Sequence, residues 1–260
     1  MCRMVFIGSN NSLTEDQINY IWDNLTAMAK DETIIHEYNE DKKGEFQHVS
    51  GWGLAYYDKC HQLKNHRSMD KIWEDSIPEN IIKDLLETNS VMIHVRRRSP
   101  GLGLGIEYCH PFLRHEKVVG DIAFAHNGTV QGRLDIKYNP KYELTIDSDT
   151  ERFLYSIMTN IENNNEMNSK SISKSLNKTI AELSEYTGAN YFCYYKNKFY
   201  GSTNFNGDKE IYFTLRYLKA DDHLIISSEA FLENESEWGH ISNNRGIEVS
   251  LDNTNDLVFY

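Results

Sequence analysis

Apolar residues recur at helical spacing over 13–30, where Ile18, Ile21, Trp22, Leu25, Met28 and Ala29 share one face behind a Thr14–Gln17 capping pattern. That spacing predicts a helix. A second is expected from Pro78, a residue suited to a first helical turn, through Ile81, Ile82, Leu85 and Leu86 to Thr88. A third should begin at Ser148 or Asp149 and turn Phe153, Leu154, Ile157, Met158 and Ile161 inward. The fourth spans 171–187, with Ile172, Leu176, Ile180 and Leu183 on one face and Gly188 as its C-terminal stop. Runs rich in Val, Ile, Tyr and Phe read as strands at 4–8, 52–58, 91–97, 121–126, 190–196, 198–201, 210–217, 223–228, 246–250 and 256–260, with Lys196-Asn197-Lys198 as a hairpin turn.

The strands come in groups and do not alternate singly with helices. That favours an α+β fold of antiparallel sheets with helices on their outer faces over a doubly wound parallel sheet. The Asn-rich stretch 160–170 reads as a solvated loop between two helices. With no internal repeat and no Pro/Gly/Ser linker, a single domain over 1–260 is expected.

Composition narrows the function. The 260 residues are 40% apolar, enough for a substantial core, and the formal net charge of -12 disfavours binding to nucleic acid or an anionic membrane surface. Arg96, Arg97 and Arg98 form the one dense basic cluster. No stretch reaches the roughly 20 apolar residues of a membrane span, and the short apolar run after Met1 falls below the about 7 to 15 of a signal peptide. A cytoplasmic protein with reduced thiols at Cys2, Cys60, Cys109 and Cys193 is therefore expected. His48, His94, His110 and His126 show no metal-binding spacing and read as hydrogen-bonded structural histidines, so no metal or cofactor is expected.

Five short stretches have two readings each. Cys2 directly after Met1 is either chance or a nucleophile exposed by processing. Around Trp52, "HVSGWG" is a turn with a core tryptophan or part of a site. Strand alternation puts His94, Arg96 and Arg98 on one face; the run is a solvated edge, or Arg96 grips a carboxylate bidentately. Asn127-Gly128 is a hairpin turn, or a side-chain amide and a backbone N–H offered together to an oxyanion. Ser148 and Asp149 cap a helix, or Asp149 is aimed at an ammonium group.

In chain order these give a nucleophile, a carboxylate grip, an oxyanion hole and an ammonium site, a kit for hydrolysing the side-chain amide of an amino acid. The ordered set resembles the class II glutamine amidotransferases, which are N-terminal nucleophile hydrolases. The matching residues are Met1-Cys2, "HVSGWG" at 48–53, "HVR" at 94–96, "CHPF" at 109–112, "AHNG" at 125–128 and "SDTE" at 148–151, with "SSE" at 227–229 as a further family feature. Among relatives it looks most like the short stand-alone amidotransferases.

The resemblance implies a four-layer αββα sandwich of two mostly antiparallel sheets. It implies Cys2 as the nucleophile once Met1 is removed, with its own α-amino group as base. Asn127 and Gly128 would form the oxyanion hole, Arg96 and Asp149 would hold glutamine, and Trp52 and His94 would belong to the substrate site. Glutamine is the implied substrate, with hydrolysis of another γ-glutamyl amide or a noncatalytic glutamine-binding regulatory role as the alternatives, and any ammonia-accepting synthase would be another polypeptide. Two departures stand out: Cys109 precedes His-Pro-Phe where relatives more often carry Asn or Thr, and 97–107 carries three glycines where relatives cover bound glutamine.

Overall fold

Strand β1 (Arg3–Ser9) has Val5 and Ile7 on one face and Met4 and Phe6 on the other, and all four are buried, so it must lie between two apolar layers. The structure, a computed structural model, describes residues 2–33, 44–99, 101–164, 169–231 and 236–260. Val5 and Ile7 pack with Ile18, Ile21, Leu25 and Met28 of helix α1 (Glu15–Ala29), whereas Met4 and Phe6 meet Ala123, Phe192, Tyr194 and Phe199 of a second sheet. Phe6 stacks on Phe199 with ring centroids 3.7 Å apart.

Around β1, strands β2 (Trp52–Tyr57), β3 (Leu63–Ser68), β4 (Ser90–Val95), β9 (Leu215–Lys219), β10 (His223–Ser227) and β11 (Gly239–Ile241) form a sheet in the order β11-β9-β10-β1-β4-β2-β3. The second sheet runs β13-β12-β8-β7-β6-β5, from β5 (Phe112–Glu116), β6 (Gly120–Val130), β7 (Tyr186–Tyr195), β8 (Lys198–Thr203), β12 (Arg245–Ser250) and β13 (Leu257–Phe259). Every pairing is antiparallel. The far face of the second sheet is covered by α3 (Asp149–Glu162) and α4 (Ser169–Ala181), through Phe153, Ile157, Ile172 and Leu176 against Phe124, Tyr191 and Tyr195. Helix α2 (Glu79–Leu85) joins α1 on the first sheet by burying Ile81 and Leu85. The expected αββα sandwich is the architecture observed.

Several boundaries differ from the expectations. Gly188 does not stop α4, which ends at Ala181; it lies within β7, opposite Thr129. The run 210–217 divides into a helical turn, α5 (Glu210–Phe213), and the start of β9. β6 continues through Asn127 and Gly128 to Val130, so that pair sits inside a strand and makes no hairpin turn. β3, β5 and β11 carry charged and histidine residues that broke the apolar pattern. The 160–170 loop is shorter than expected, since α3 runs to Glu162, and 165–168 lie outside the described residues. Lys196 and Asn197 do form the β7–β8 turn, with φ of 49° and 55°.

Candidate active site

Antiparallel pairing fixes the first element of the site. Arg3 of β1 lies opposite Val95 of β4, so Cys2, one step before β1, arrives beside Arg96 and Arg97, one and two steps beyond β4. The Cys2 Sγ is 4.0 Å from the Arg97 carbonyl oxygen. From the second sheet, the Asn127 Oδ1 accepts a hydrogen bond from the Cys2 nitrogen at 2.9 Å. A cavity of about 200 Å3 opens there, with Cys2, Arg96, Gly128 and Asp149 among its lining residues.

Each polar group in the cavity has a local reason for its place. Asn127 lies fully buried behind the cavity wall, where its Oδ1 holds the Cys2 nitrogen and its Nδ2 has no hydrogen-bond partner among the described residues. Gly128 adopts φ 151°, and a Cβ there would lie 1.7 Å from the Gly188 carbonyl oxygen, so the strand needs glycine at this position. Arg96 is buried and donates from Nη2 to the Gly103 oxygen at 2.8 Å, while its Nη1 is unpartnered. This ties the glycine-bearing segment after β4 to the cavity floor. Asp149 opens α3 behind the Ser148 cap and accepts from Val130 N at 2.9 Å and Thr150 N at 2.9 Å. The Thr150 hydroxyl lies 3.4 Å from the Oδ1 that takes Thr150 N, so three donors already face a carboxylate with about four acceptor sites, and Oδ2 keeps room for one more.

Burial pushes the Cys2 thiol above its ordinary value, with the Arg97 backbone contact and the Arg96 guanidinium opposing the rise. Cys109 is fully buried, pushed up to about 11, and its sulfur faces the Ser50 and Ser68 carbonyl oxygens and the Met69 sulfur. Gly51 makes room for it, since a Cβ there would lie 2.6 Å from that sulfur.

Two residues expected at the substrate site do not line this cavity. Trp52 is fully buried in the outer core, where its Nε1 donates to Asp75 Oδ2 at 2.9 Å and its ring packs edge-on to Trp22. His94 is also fully buried and bonds through Nε2 to His110 Nδ1 at 3.2 Å; His110, not His94, reaches the cavity wall. Trp52 and Gly53 therefore shape the sheet, as the core-tryptophan reading held. The four histidines are held neutral. Burial lowers His94 to about 3 and moves His48, His110 and His126 below the usual imidazole value. His126 bridges the Thr150 hydroxyl at 3.1 Å and the Gly188 oxygen at 3.2 Å, joining α3 to β7.

The structure adds residues that the sequence reading left aside. Arg3 and Glu229 pair at 3.4 Å with 2% and 1% of their side-chain surface exposed, and the Thr33 hydroxyl donates to the same carboxylate oxygen. Ser228 Oγ accepts from Met4 N at 2.9 Å, so the "SSE" segment clamps the start of β1 beside the thiol. Glu151 accepts from Arg114 at 2.6 Å and from Thr145 N and Ile146 N, ordering the segment ahead of Asp149. Its signal was present in "SDTE", but an acid in a first helical turn reads as a dipole partner.

A family model for class II glutamine amidotransferases matches residues 36–193, more than half of the chain. The chain belongs to the class II glutamine amidotransferases. The matched segment contains Arg96, Asn127, Gly128 and Asp149 and leaves Cys2 outside. An uncharacterised protein of Methanocaldococcus jannaschii is 25% identical over 180 residues, which cover 68% of this chain and 49% of that protein. Among solved structures, glutamine phosphoribosylpyrophosphate amidotransferase from B. subtilis superposes with a TM-score of 0.66 at 14% identity, over 100% of this chain and 49% of that one. A Pseudomonas aeruginosa protein described as a predicted glutamine amidotransferase gives 0.54 at 14% identity, over 95% of both chains. A class-II domain protein from Silicibacter pomeroyi gives 0.52 at 12% identity, over 100% and 98%. This amidotransferase chain thus spans about half the length of the M. jannaschii and B. subtilis proteins and nearly the whole of the other two. Among its described residues no helix is long and apolar enough to cross a membrane.

Proposed function

We propose that residues 1–260 act as one glutaminase domain in the cytoplasm, in which Cys2, freed of Met1, hydrolyses the side-chain amide of glutamine to glutamate and ammonia. The observation that carries this reading is the hydrogen bond from the Cys2 nitrogen to Asn127 Oδ1, made by an amide whose Nδ2 is buried without a partner. One residue thereby orients the nitrogen that becomes the α-amine and keeps a donor for the oxygen of the substrate.

In this mechanism Arg96 Nη1 takes the α-carboxylate of glutamine and Asp149 its α-ammonium. The Cys2 thiol gives its proton to its own α-amine, whose reference pKa of about 7.7 to 8.0 lies near that of a free thiol, about 8.5. Sulfur attacks the amide carbon, and Asn127 Nδ2 with the Gly128 backbone steadies the oxyanion. The proton held by the amine passes to the leaving nitrogen, ammonia departs, and water hydrolyses the γ-glutamyl thioester. No metal or cofactor takes part in these steps. Ammonia would be used by a separate synthase chain.

The test is intact mass spectrometry before and after incubation with 6-diazo-5-oxo-norleucine, a reactive glutamine mimic. The expected result is a mass lacking Met1 and one adduct mapped to Cys2. Retained Met1 with no adduct would overturn the reading and favour a glutamine-binding subunit without catalysis.

A further inference from the structure

His126 takes no part in the steps above, yet it is buried where the two halves of the site meet. It directly precedes Asn127 and Gly128 on β6, and its ring touches β7 on one side and the start of α3 on the other. The Gly188 carbonyl oxygen, 3.2 Å from Nε2, can only accept, so Nε2 carries a proton. The ring nitrogens meet a carbonyl and a hydroxyl and no carboxylate, and Phe153 packs edge-on to the ring with centroids 5.5 Å apart. Such a buried ring is neutral, in line with the lowered pKa that burial gives it, and Nδ1 is left as an acceptor.

The donor to Nδ1 is the Thr150 hydroxyl at 3.1 Å, and that hydroxyl has one proton to give. Two acceptors compete for it, His126 Nδ1 and, at 3.4 Å, Asp149 Oδ1. The shorter contact favours the ring. Satisfaction of buried groups favours it too, because Asp149 Oδ1 already takes Thr150 N at 2.9 Å, whereas Nδ1 without this hydroxyl would be a buried nitrogen with nothing to accept. With the proton drawn to His126, Asp149 keeps an acceptor site that the hydroxyl would otherwise fill, and Asp149 lines the cavity.

We propose that His126 is a positioning residue for the α-ammonium of the substrate: by accepting from Thr150 it holds that hydroxyl proton off Asp149 and keeps the carboxylate free for the ammonium group. This rests on the reading above in which Asp149 binds glutamine. Through Nε2 the same ring holds the Gly188 carbonyl against which Gly128 packs, so one side chain ties the ammonium site to the oxyanion strand. No proton changes owner in this arrangement; only the direction of one hydrogen bond is set.

The experiment compares kcat/KM for glutamine and for glutaramate, the same amide without the α-amine, using the full chain and two variants that divide the functions of the ring. His126→Asn places a side-chain oxygen close to the position of Nδ1 and keeps an acceptor for Thr150. His126→Gln places an amide N–H close to the position of Nε2 and keeps the donor to Gly188, while the acceptor is lost. A native preference for glutamine of about 10- to 100-fold is expected from one charge-assisted contact. His126→Gln should lower it about tenfold, carried by a higher KM for glutamine with kcat little changed, whereas His126→Asn should keep it within about twofold. Because the readout is a ratio between two amides, a loss of folded protein cancels from it. A native ratio near one, an equal fall in both variants, a fall in His126→Asn alone, or no fall in either overturns the inference while leaving glutamine turnover and the Cys2 adduct intact. Absence of both turnover and adduct in the native chain overturns the hydrolase reading instead, and the same ratios are then read as Kd by calorimetry.

Discussion

Asn127 and Gly128 show how little a residue pair says without its neighbours. Alone, Asn-Gly signals a turn. Here eleven residues of β6 carry it through the middle of a pairing with β7, which turns the amide toward Cys2 and brings the Gly128 Cα against the Gly188 backbone. Because Asn127 Nδ2 has no partner in the fold, Asn127→Ala should lower kcat by on the order of 100-fold. The urea midpoint should move little, and equal turnover would remove Asn127 from the oxyanion site. Gly128→Ala should act oppositely in kind. Its methyl group cannot coexist with the Gly188 oxygen, so destabilisation should exceed the about 1–3 kcal/mol usual for overpacking, read as a lower urea midpoint. Cys2, Arg96, Asn127 and Asp149, which the fold gathers around one cavity, were thus legible as types in order along the chain. The placement of Trp52 and His94 was not, because an aromatic or imidazole inside a buried strand looks the same whether its tip meets a ligand or another core side chain.

At the level of elements, the amphipathic helices were legible because each has a single partner surface. Thr14 and Gln17 form the reciprocal cap of α1 that their spacing predicts, and Thr14→Ala should cost about 1 kcal/mol in chemical unfolding. Strands flanked by charge were harder to see: Arg67 of β3 and Arg114 of β5 reach the Cys109 oxygen and Glu151 from sheet edges, where polar side chains are tolerated. The clamp between β1 and the segment after β10 lay beyond any local pattern, since Arg3 and Glu229 are separated by almost the whole sequence. Glu229→Gln removes one charge of this buried pair and should lower the unfolding midpoint. The double change Arg3→Met with Glu229→Leu should recover most of that loss in the same unfolding assay. A double variant no more stable than the single one would show that the pair is not coupled.

For the whole molecule, the four neutral histidines make stability depend on pH. Burial sets their folded-state pKa values below the unfolded value of about 6.5, so below that pH the unfolded chain binds more protons than the native one. Their contribution is complete above about pH 6.5 and declines as pH falls toward their folded values, with a slope of at most about 1.4 kcal/mol per pH unit for each group. Urea midpoints should agree at pH 7 and 8 and be lower at pH 5.5, and His94→Gln should flatten the fall. A midpoint constant from pH 5 to 8 would contradict the burial of these rings as neutral groups. Antiparallel sheets with helices outside were legible from the grouping of the strands, and the four-layer order followed from the resemblance, whereas strand order was not legible, since pairing partners are chosen by the sheet as a whole.

The central position of β1 also imposes an order of events during synthesis. Its neighbours are β4, completed at Val95, and β10, which begins only at His223, so the first strand made is among the last to gain its second edge. Until the ribosome has delivered β10 and the Ser228–Glu229 clamp behind it, the leading residues cannot be enclosed. Cys2 and Arg3 therefore stand unenclosed for nearly the full elongation time of the chain, so any processing of that end would precede closure of the domain over it.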